Sequence, residues 1–169
     1  MKPSLYALAW STVLAVSFPS LTAAQWAPDG RALCDAPNAQ STPIAVPDGL
    51  GGGIVVWRDT RNAGTTGSDI FATRVTKAGG VAVWPNNGVA LCLANGDQLE
   101  PEATTDGAGG AIATWQDFRL GAVGDIFAGR VQADGLLPTS WPTNGVAICT
   151  ASGSQTTPVI APDNAGAPS

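Results

Sequence analysis

Apolar residues in this chain fall into short runs separated by Gly, Pro, Asn and Asp. Runs of this length, bounded by turn residues, read as strands rather than helices. The plainest are residues 53–59 (Gly-Ile-Val-Val-Trp-Arg-Asp) and 110–117 (Gly-Ala-Ile-Ala-Thr-Trp-Gln-Asp). Their near-continuous apolar content predicts strands buried on both faces. Shorter strands are predicted at 43–46 and 101–104, at 69–75 and 125–131, and at 89–92 and 146–149. Asp48-Gly49 and Asp106-Gly107 supply tight-turn chemistry after the first strand of each set. Turn residues 77–80 and 133–135 follow the third strands, and Asn86-Asn87-Gly88 and Thr143-Asn144-Gly145 lead into the fourth.

These runs repeat in one register. Trp26, Trp84 and Trp141 are spaced by 58 and 57 residues, as are Cys34, Cys92 and Cys149. Pro43, Pro101 and Pro158 keep the same intervals, and so do Asp48, Asp106 and Asp163. Trp57, Asp59 and Arg61 map to Trp115, Asp117 and Arg119 at a spacing of 58. Ile70-Phe71-Ala72 maps to Ile126-Phe127-Ala128 at 56, and the length change falls in the Gly- and Thr-rich stretch between Arg61 and Asp69. A loop absorbs such changes most easily.

Fixed-period repetition of four short strands predicts an all-β chain of consecutive four-stranded antiparallel propeller blades. An immunoglobulin-like sandwich needs about seven strands without a four-strand repeat. The reading places blade 1 at 43–98 and blade 2 at 99–156. Residues 25–42 are an orphan outer strand and linker, in which Gly30-Arg31-Ala32-Leu33-Cys34 aligns with a fourth strand. Residues 157–169 are the first strand of a truncated third blade. A propeller needs about four to eight blades, so two give an incomplete ring, and the expectation is a fragment.

Residues 1–24 have the layout of a signal peptide: Met1-Lys2, an apolar stretch from Leu5 to Phe18, a break at Pro19-Ser20, and Thr22-Ala23-Ala24 before Gln25. The alternative is a membrane anchor, for which the apolar core is short. The expected location is secreted, periplasmic or cell-surface, with no membrane attachment after cleavage.

Charge narrows the function. Eight Lys and Arg are scattered through a chain of net charge −5, which argues against nucleic acid, whose binding needs clustered cations. No histidine is present, so the usual general base and the Ser-His and Cys-His nucleophile pairs are missing. Carboxylates alone can still catalyse.

The segment Gly-Gly-Ile-Val-Val-Trp-Arg-Asp-Thr-Arg (52–61), followed by Asp-Ile-Phe-Ala-Thr-Arg-Val (69–75), resembles the repeat of secreted bacterial propeller proteins, including TolB-like and cell-surface propellers. Those repeats typically read Trp-x-Asp-x-Arg, then Asp-Ile-Tyr-Ala-x-Arg-Val, then Gly and Trp. Phe71 and Phe127 stand where that pattern often has Tyr. The resemblance covers most of residues 26–163. It implies a blade and says little of function, because one fold hosts many activities.

Candidate sites follow from recurrence. Asp59, Arg61 and Asp69 recur as Asp117, Arg119 and Asp125, and Arg74 recurs as Arg130. They are rim candidates for a cation or a carbohydrate, or else turn-stabilising acids and Asp–Arg pairs. Trp57, Trp115, Phe71, Phe127, Cys92 and Cys149 are expected in the repeat core. The cysteines lie too far apart in neighbouring blades for a disulfide and are expected as small buried hydrophobes. Trp26, Trp84 and Trp141 are expected to pack between blades, with sugar stacking as the alternative. No catalytic set, metal site or cofactor is expected. The expected role is an exported, non-catalytic binding or cell-surface scaffold module, with carbohydrate or a cell-surface protein as the partner class. The rival is a propeller hydrolase, sialidase-like or another glycosidase, using paired carboxylates. Glu100 and Glu102, the only glutamates, are its candidates.

Overall fold

A computed structural model describes residues 26–81 and 84–163. The signal peptide expected over residues 1–24 lies outside them. All strands among the described residues belong to two four-stranded antiparallel sheets. The first runs β1 (Gln40–Pro47), β2 (Gly53–Asp59), β3 (Asp69–Val75) and β4 (Val89–Cys92), each beside the next. The second repeats the order with β5 (Gln98–Thr105), β6 (Ala111–Asp117), β7 (Asp125–Val131) and β8 (Val146–Cys149).

Local chemistry sets the hairpins. After β1 the Asp48 carboxylate accepts from the backbone N–H groups of Leu50 (2.8 Å) and Gly52 (2.9 Å). Asp106 does the same for Ala108 (2.8 Å) and Gly110 (2.7 Å). Such Asx bonds replace ladder bonds that a turn cannot make. β2 and β3 then pair without interruption from Gly53↔Val75 to Asp59↔Asp69. β6 and β7 repeat that register from Ala111↔Val131 to Asp117↔Asp125.

β1 and β5 begin three residues earlier than the apolar pattern suggests. Each carries a bulge, where the register shifts between Ser41 and Ile44 and between Leu99 and Glu102. The bulged residues Thr42 (φ 46°) and Glu100 (φ 51°) take a left-handed backbone. That releases the residue before each Pro from the ladder and lets pairing resume earlier in the chain.

Each sheet has two faces. The front of the first sheet carries Ile54, Val56, Ile70 and Ala72, all fully buried, with Leu91 and Cys92. It packs on the back of the second sheet, formed by Ala103, Ala111, Ala113, Trp115, Phe127 and Val131. Complete burial of an Ile, Val or Leu side chain contributes about 1.5–3 kcal/mol, so this one interface holds most of the driving force. The same positions on the second sheet have no third sheet against them among the described residues. Leu91 is 3% exposed, whereas its repeat equivalent Ile148 is 62% exposed.

Two expected strands do not form ladders. Residues 30–34, expected as a fourth strand, have no third strand to pair with among the described residues. They lie instead across the back of the first sheet, where the Asp35 N–H donates to Asn87 Oδ1 (2.8 Å). Residues 157–163, expected as a first strand, likewise have no second strand beside them, and Val159 is 88% exposed. Thr157 nonetheless keeps the bulge conformation of Thr42 and Glu100, at φ 49°.

Candidate functional site

The recurring charged residues converge on one cluster per repeat, built at the end of β2 and of β6. In the first repeat Asp59 is fully buried. Arg61 grips it in bidentate fashion, Nε on Oδ1 at 2.9 Å and NH2 on Oδ2 at 2.6 Å. The Arg61 backbone N–H adds 2.8 Å and the Trp57 indole N–H adds 2.8 Å. The guanidinium lies 3.8 Å above the Phe71 ring, which stacks on Trp57 at 6.2 Å. The same NH2 nitrogen also donates to the Asn87 carbonyl (2.9 Å) and to the Cys34 sulfur (3.1 Å).

The second repeat reproduces the hydrogen bonds and the cation–ring contact. Arg119 holds Asp117 at 2.9 and 2.6 Å, and the Trp115 indole N–H donates to Asp117 at 2.7 Å. Arg119 lies 3.9 Å above Phe127 and donates to the Asn144 carbonyl (2.7 Å) and the Cys92 sulfur (3.1 Å). Each cluster draws on two repeats, because the cysteine comes from the segment preceding its own sheet. Four N–H donors thus saturate each buried carboxylate, and the guanidinium above it engages its acceptors through Nε and one terminal nitrogen while lying over a ring face.

The electrostatics agree. Burial alone would raise the Asp59 carboxyl. The Arg61 side chain, the Trp57 indole and the Arg61 amide outweigh it and hold the group below the ordinary carboxylate range. Burial pushes the Cys92 thiol up to about 12. It therefore stays protonated near neutral pH and is a poor nucleophile. The three cysteines are free thiols. Cys92 is buried, but Cys34 and Cys149 are only half-buried, which corrects the reading of all three as buried filler. Cys149 lies where Cys34 and Cys92 lie in their repeats, and among the described residues no further sheet covers it.

Asp69 differs from the other acids. Its Oδ2 accepts from Asn62 (2.9 Å) and Thr66 (3.0 Å), while Oδ1 is buried without a partner. Burial, followed in the same direction by the nearby Asp59 charge, raises its carboxyl despite those two bonds. Asp125, its equivalent, is 4% exposed, and Leu120 stands where Asn62 does. Asp59, Asp69, Asp117 and Asp125 are thus all interior, and none presents a carboxylate on a rim.

Arg74 pairs not with Asp69 but with Asp48, at 2.9 and 2.8 Å, and Arg130 pairs likewise with Asp106. Arg74 also donates to the Ala133 carbonyl of the next repeat (3.1 Å). Asp48 is buried, and burial opposes its charge. The Leu50 and Gly52 amides and Arg74 overcome that opposition and lower its carboxyl. The recurrence of Asp48 at Asp106 was the available signal for this pair.

The tryptophans join the repeats. Trp84 is 7% exposed, and its indole N–H donates to the Ala133 carbonyl at 3.3 Å. A Cβ on Gly135 would lie 2.9 Å from the Trp84 ring, and one on Gly79 would lie 3.0 Å from the Trp26 ring. Each ring thus lies flat on the glycine turn of the following sheet. Trp141 lines a cleft of roughly 300 Å³ with Leu137 and Pro138.

The glutamates do not form a comparable site. Glu100 is exposed on the β5 bulge and Glu102 is half-buried two residues on. Among the described residues no group of three or more His, Cys, Asp or Glu side chains is placed to hold a metal ion. Comparison with family models, with curated proteins and with solved structures found no match to this chain.

Proposed function

We propose that the chain is an exported, non-catalytic repeat protein whose sheets are propeller blades, and that it serves as a binding or cell-surface scaffold module. The observation that carries this reading is the commitment of four recurring carboxylates and their arginines to internal pairs. Asp59, Asp117, Asp48 and Asp106 each neutralise an arginine and cap backbone or indole donors. A group committed to four internal partners cannot also move protons for a substrate.

Two further features support blades. Contacts between the sheets are densest where β1 approaches β5, and fewer link β4 to β7, as in sheets radiating from a shared axis. The joint also has the same chemistry wherever it occurs, Trp on a glycine turn and thiol under a guanidinium, so it can be repeated indefinitely. Export rests on the leader-like residues 1–24, and a carbohydrate or a cell-surface protein is the partner class that such a location offers.

The reading is tested by expressing the chain in a secreting bacterium and weighing the product outside the cytoplasm. Loss of residues 1–24 is expected. The product is then incubated with glycoside and peptide substrates, where no turnover is expected. Turnover abolished by Glu102→Gln would replace this reading with a hydrolase.

A further inference from the structure

The pair Asn-Gly occurs three times in the chain, at Asn87-Gly88, Asn95-Gly96 and Asn144-Gly145. This pair carries a reaction of its own. The Gly amide nitrogen attacks the Asn side-chain carbon Cγ, ammonia leaves, and a cyclic imide forms. Water then opens the imide at either carbonyl, leaving an aspartyl or an isoaspartyl residue. The net change consumes water and releases ammonia, with no oxidant or reductant. Gly favours the attack because it has no Cβ to shield the nitrogen or hinder backbone rotation. The reaction needs a side chain and an N–H that are free to reach each other.

Two of the three pairs are tied down at both reacting groups. Asn87 Oδ1 accepts from the Asp35 N–H (2.8 Å), and the Gly88 N–H donates to the Pro85 carbonyl (3.0 Å). Asn144 Oδ1 accepts from the Leu93 N–H (2.9 Å), and the Gly145 N–H donates to the Pro142 carbonyl (3.0 Å). Both asparagines hold a left-handed φ of 65° in these turns. The middle pair is free. Asn95 and Gly96 are exposed between β4 and β5. Among the described residues no hydrogen bond engages the Asn95 side chain or the Gly96 N–H.

The free pair lies on the strap that connects the two sheets. Asp97 Oδ1 accepts from the Ser68 N–H (2.9 Å) at the β2–β3 hairpin, and the Asp97 carbonyl accepts from the Phe118 N–H (2.9 Å) at the β6–β7 hairpin. The Gln98 N–H donates to the Ser68 carbonyl at 2.8 Å. The Gly96 carbonyl accepts from Gln98 Nε2 (2.9 Å), and a Cβ on Gly96 would lie 2.7 Å from the Phe118 carbonyl oxygen. These contacts hold the strap beyond the reacting nitrogen and leave the nitrogen itself open. We propose that Asn95-Gly96 is a self-modification site, converting without an enzyme to isoaspartyl and aspartyl products while Asn87 and Asn144 stay intact. The isoaspartyl product routes the backbone through Cβ, so it lengthens the strap by a carbon and adds a carboxylate beside Asp97. The longer strap displaces Gly96 and Asp97 and loosens their hold on Ser68 and Phe118. The equivalent corner of the last segment reads Ser152-Gly153, which has no carboxamide and cannot react this way.

The test is storage of the full chain in mildly alkaline buffer, which favours ionisation of the attacking nitrogen. Peptide mass spectrometry then separates isoaspartyl from aspartyl forms at each site. Asn95 is expected to convert roughly ten to a hundred times faster than Asn87 and Asn144, because each of those must first lose two hydrogen bonds. In guanidinium chloride the three sites are expected to convert at similar rates, since only the fold distinguishes them. Asn95→Ser is expected to remove the fast product. Hydrogen exchange reads the strap: the Ser68 and Phe118 amides are expected to exchange faster in the isoaspartyl product than in Asn95→Asp, which adds the charge without lengthening the backbone. Conversion of Asn87 or Asn144 as fast as Asn95 in the folded protein would overturn the proposal. So would an Asn95 that stays intact in the folded chain while converting in the unfolded one, or equal exchange in the isoaspartyl and Asn95→Asp proteins.

Discussion

Replacing Asp117 by Asn isolates the cost of the buried cluster. The side chain is fully buried and accepts from the Trp115 indole and from three N–H groups of Arg119, whose side chain is only 16% exposed. Asn keeps the shape and one acceptor but removes the charge, and its amide group is turned toward guanidinium donors. Breaking a buried pair from one side costs about 3–5 kcal/mol, because the surviving charge is left without compensation. The retained carbonyl and the guanidinium's partial access to water place the expected loss near about 3 kcal/mol. For a chain of this size that lowers the melting temperature by roughly 6–12 °C. Urea unfolding followed by tryptophan fluorescence measures it as a fall in midpoint at constant slope. Asp29→Asn, at an exposed carboxylate, is the control and should stay within about 0.5 kcal/mol. Adding Arg119→Met to Asp117→Asn should recover about 1–3 kcal/mol, since no isolated charge then remains. A loss no larger than the control's, or strictly additive single effects, would refute the account of the cluster as a structural joint.

Other outcomes follow from single contacts. Gly88→Ala should cost at least about 2 kcal/mol by chemical denaturation, because its Cβ would lie 2.5 Å from the Trp57 ring and 2.7 Å from the Ala72 carbonyl. Gly107→Ala, with open space and only the left-handed backbone against it, should cost about 1 kcal/mol. The carboxyls of Asp48, Asp59 and Asp106 are lowered on folding, so their stabilisation is complete above the unfolded carboxylate range. It should be lost as pH falls through their folded values, seen as a declining melting temperature below about pH 4. Asp69 has the opposite sign, because its carboxyl is raised in the fold. The stability of Asp69→Asn relative to the native chain should therefore increase as pH rises from the unfolded carboxylate range through the raised folded value, and an unchanged difference would contradict the assignment. Alkylation at pH 8, read by mass spectrometry, should modify Cys149 well before Cys92, whose thiol is buried and pushed up to about 12.

Much of the fold is visible in the apolar pattern because Gly and Asp mark where each strand stops. β2, β3, β4, β7 and β8 match the expected runs to the residue. The apolar pattern starts β1 and β5 only at Pro43 and Pro101, because nothing local announces that Thr42 and Glu100 adopt a left-handed backbone and let pairing restart beyond them. Residues 30–34 and 157–163 show the limit of an apolar pattern. They have strand composition, but a strand is a property of a pair, and no partner adjoins them among the described residues. The ionic pairs were legible only in part. Arg61 is two residues from Asp59, so their pairing is local. Arg74 reaches Asp48 only because β2 and β3 are in a register that brings the end of β3 beside the first hairpin. The cysteines recur plainly, yet sulfur accepting from a half-buried guanidinium is not a role that spacing suggests.

Everything rests on the two sheets meeting through one repeated joint, with an indole lying on the glycine turn of the next sheet. A nuclear Overhauser spectrum of the labelled protein reads that contact directly. Cross-peaks from the Trp84 ring to Gly135, and a matching set from Trp26 to Gly79, are expected, with both glycines shifted by the ring currents. Tryptophan rings in unrelated surroundings, with no cross-peak to either glycine, would contradict it.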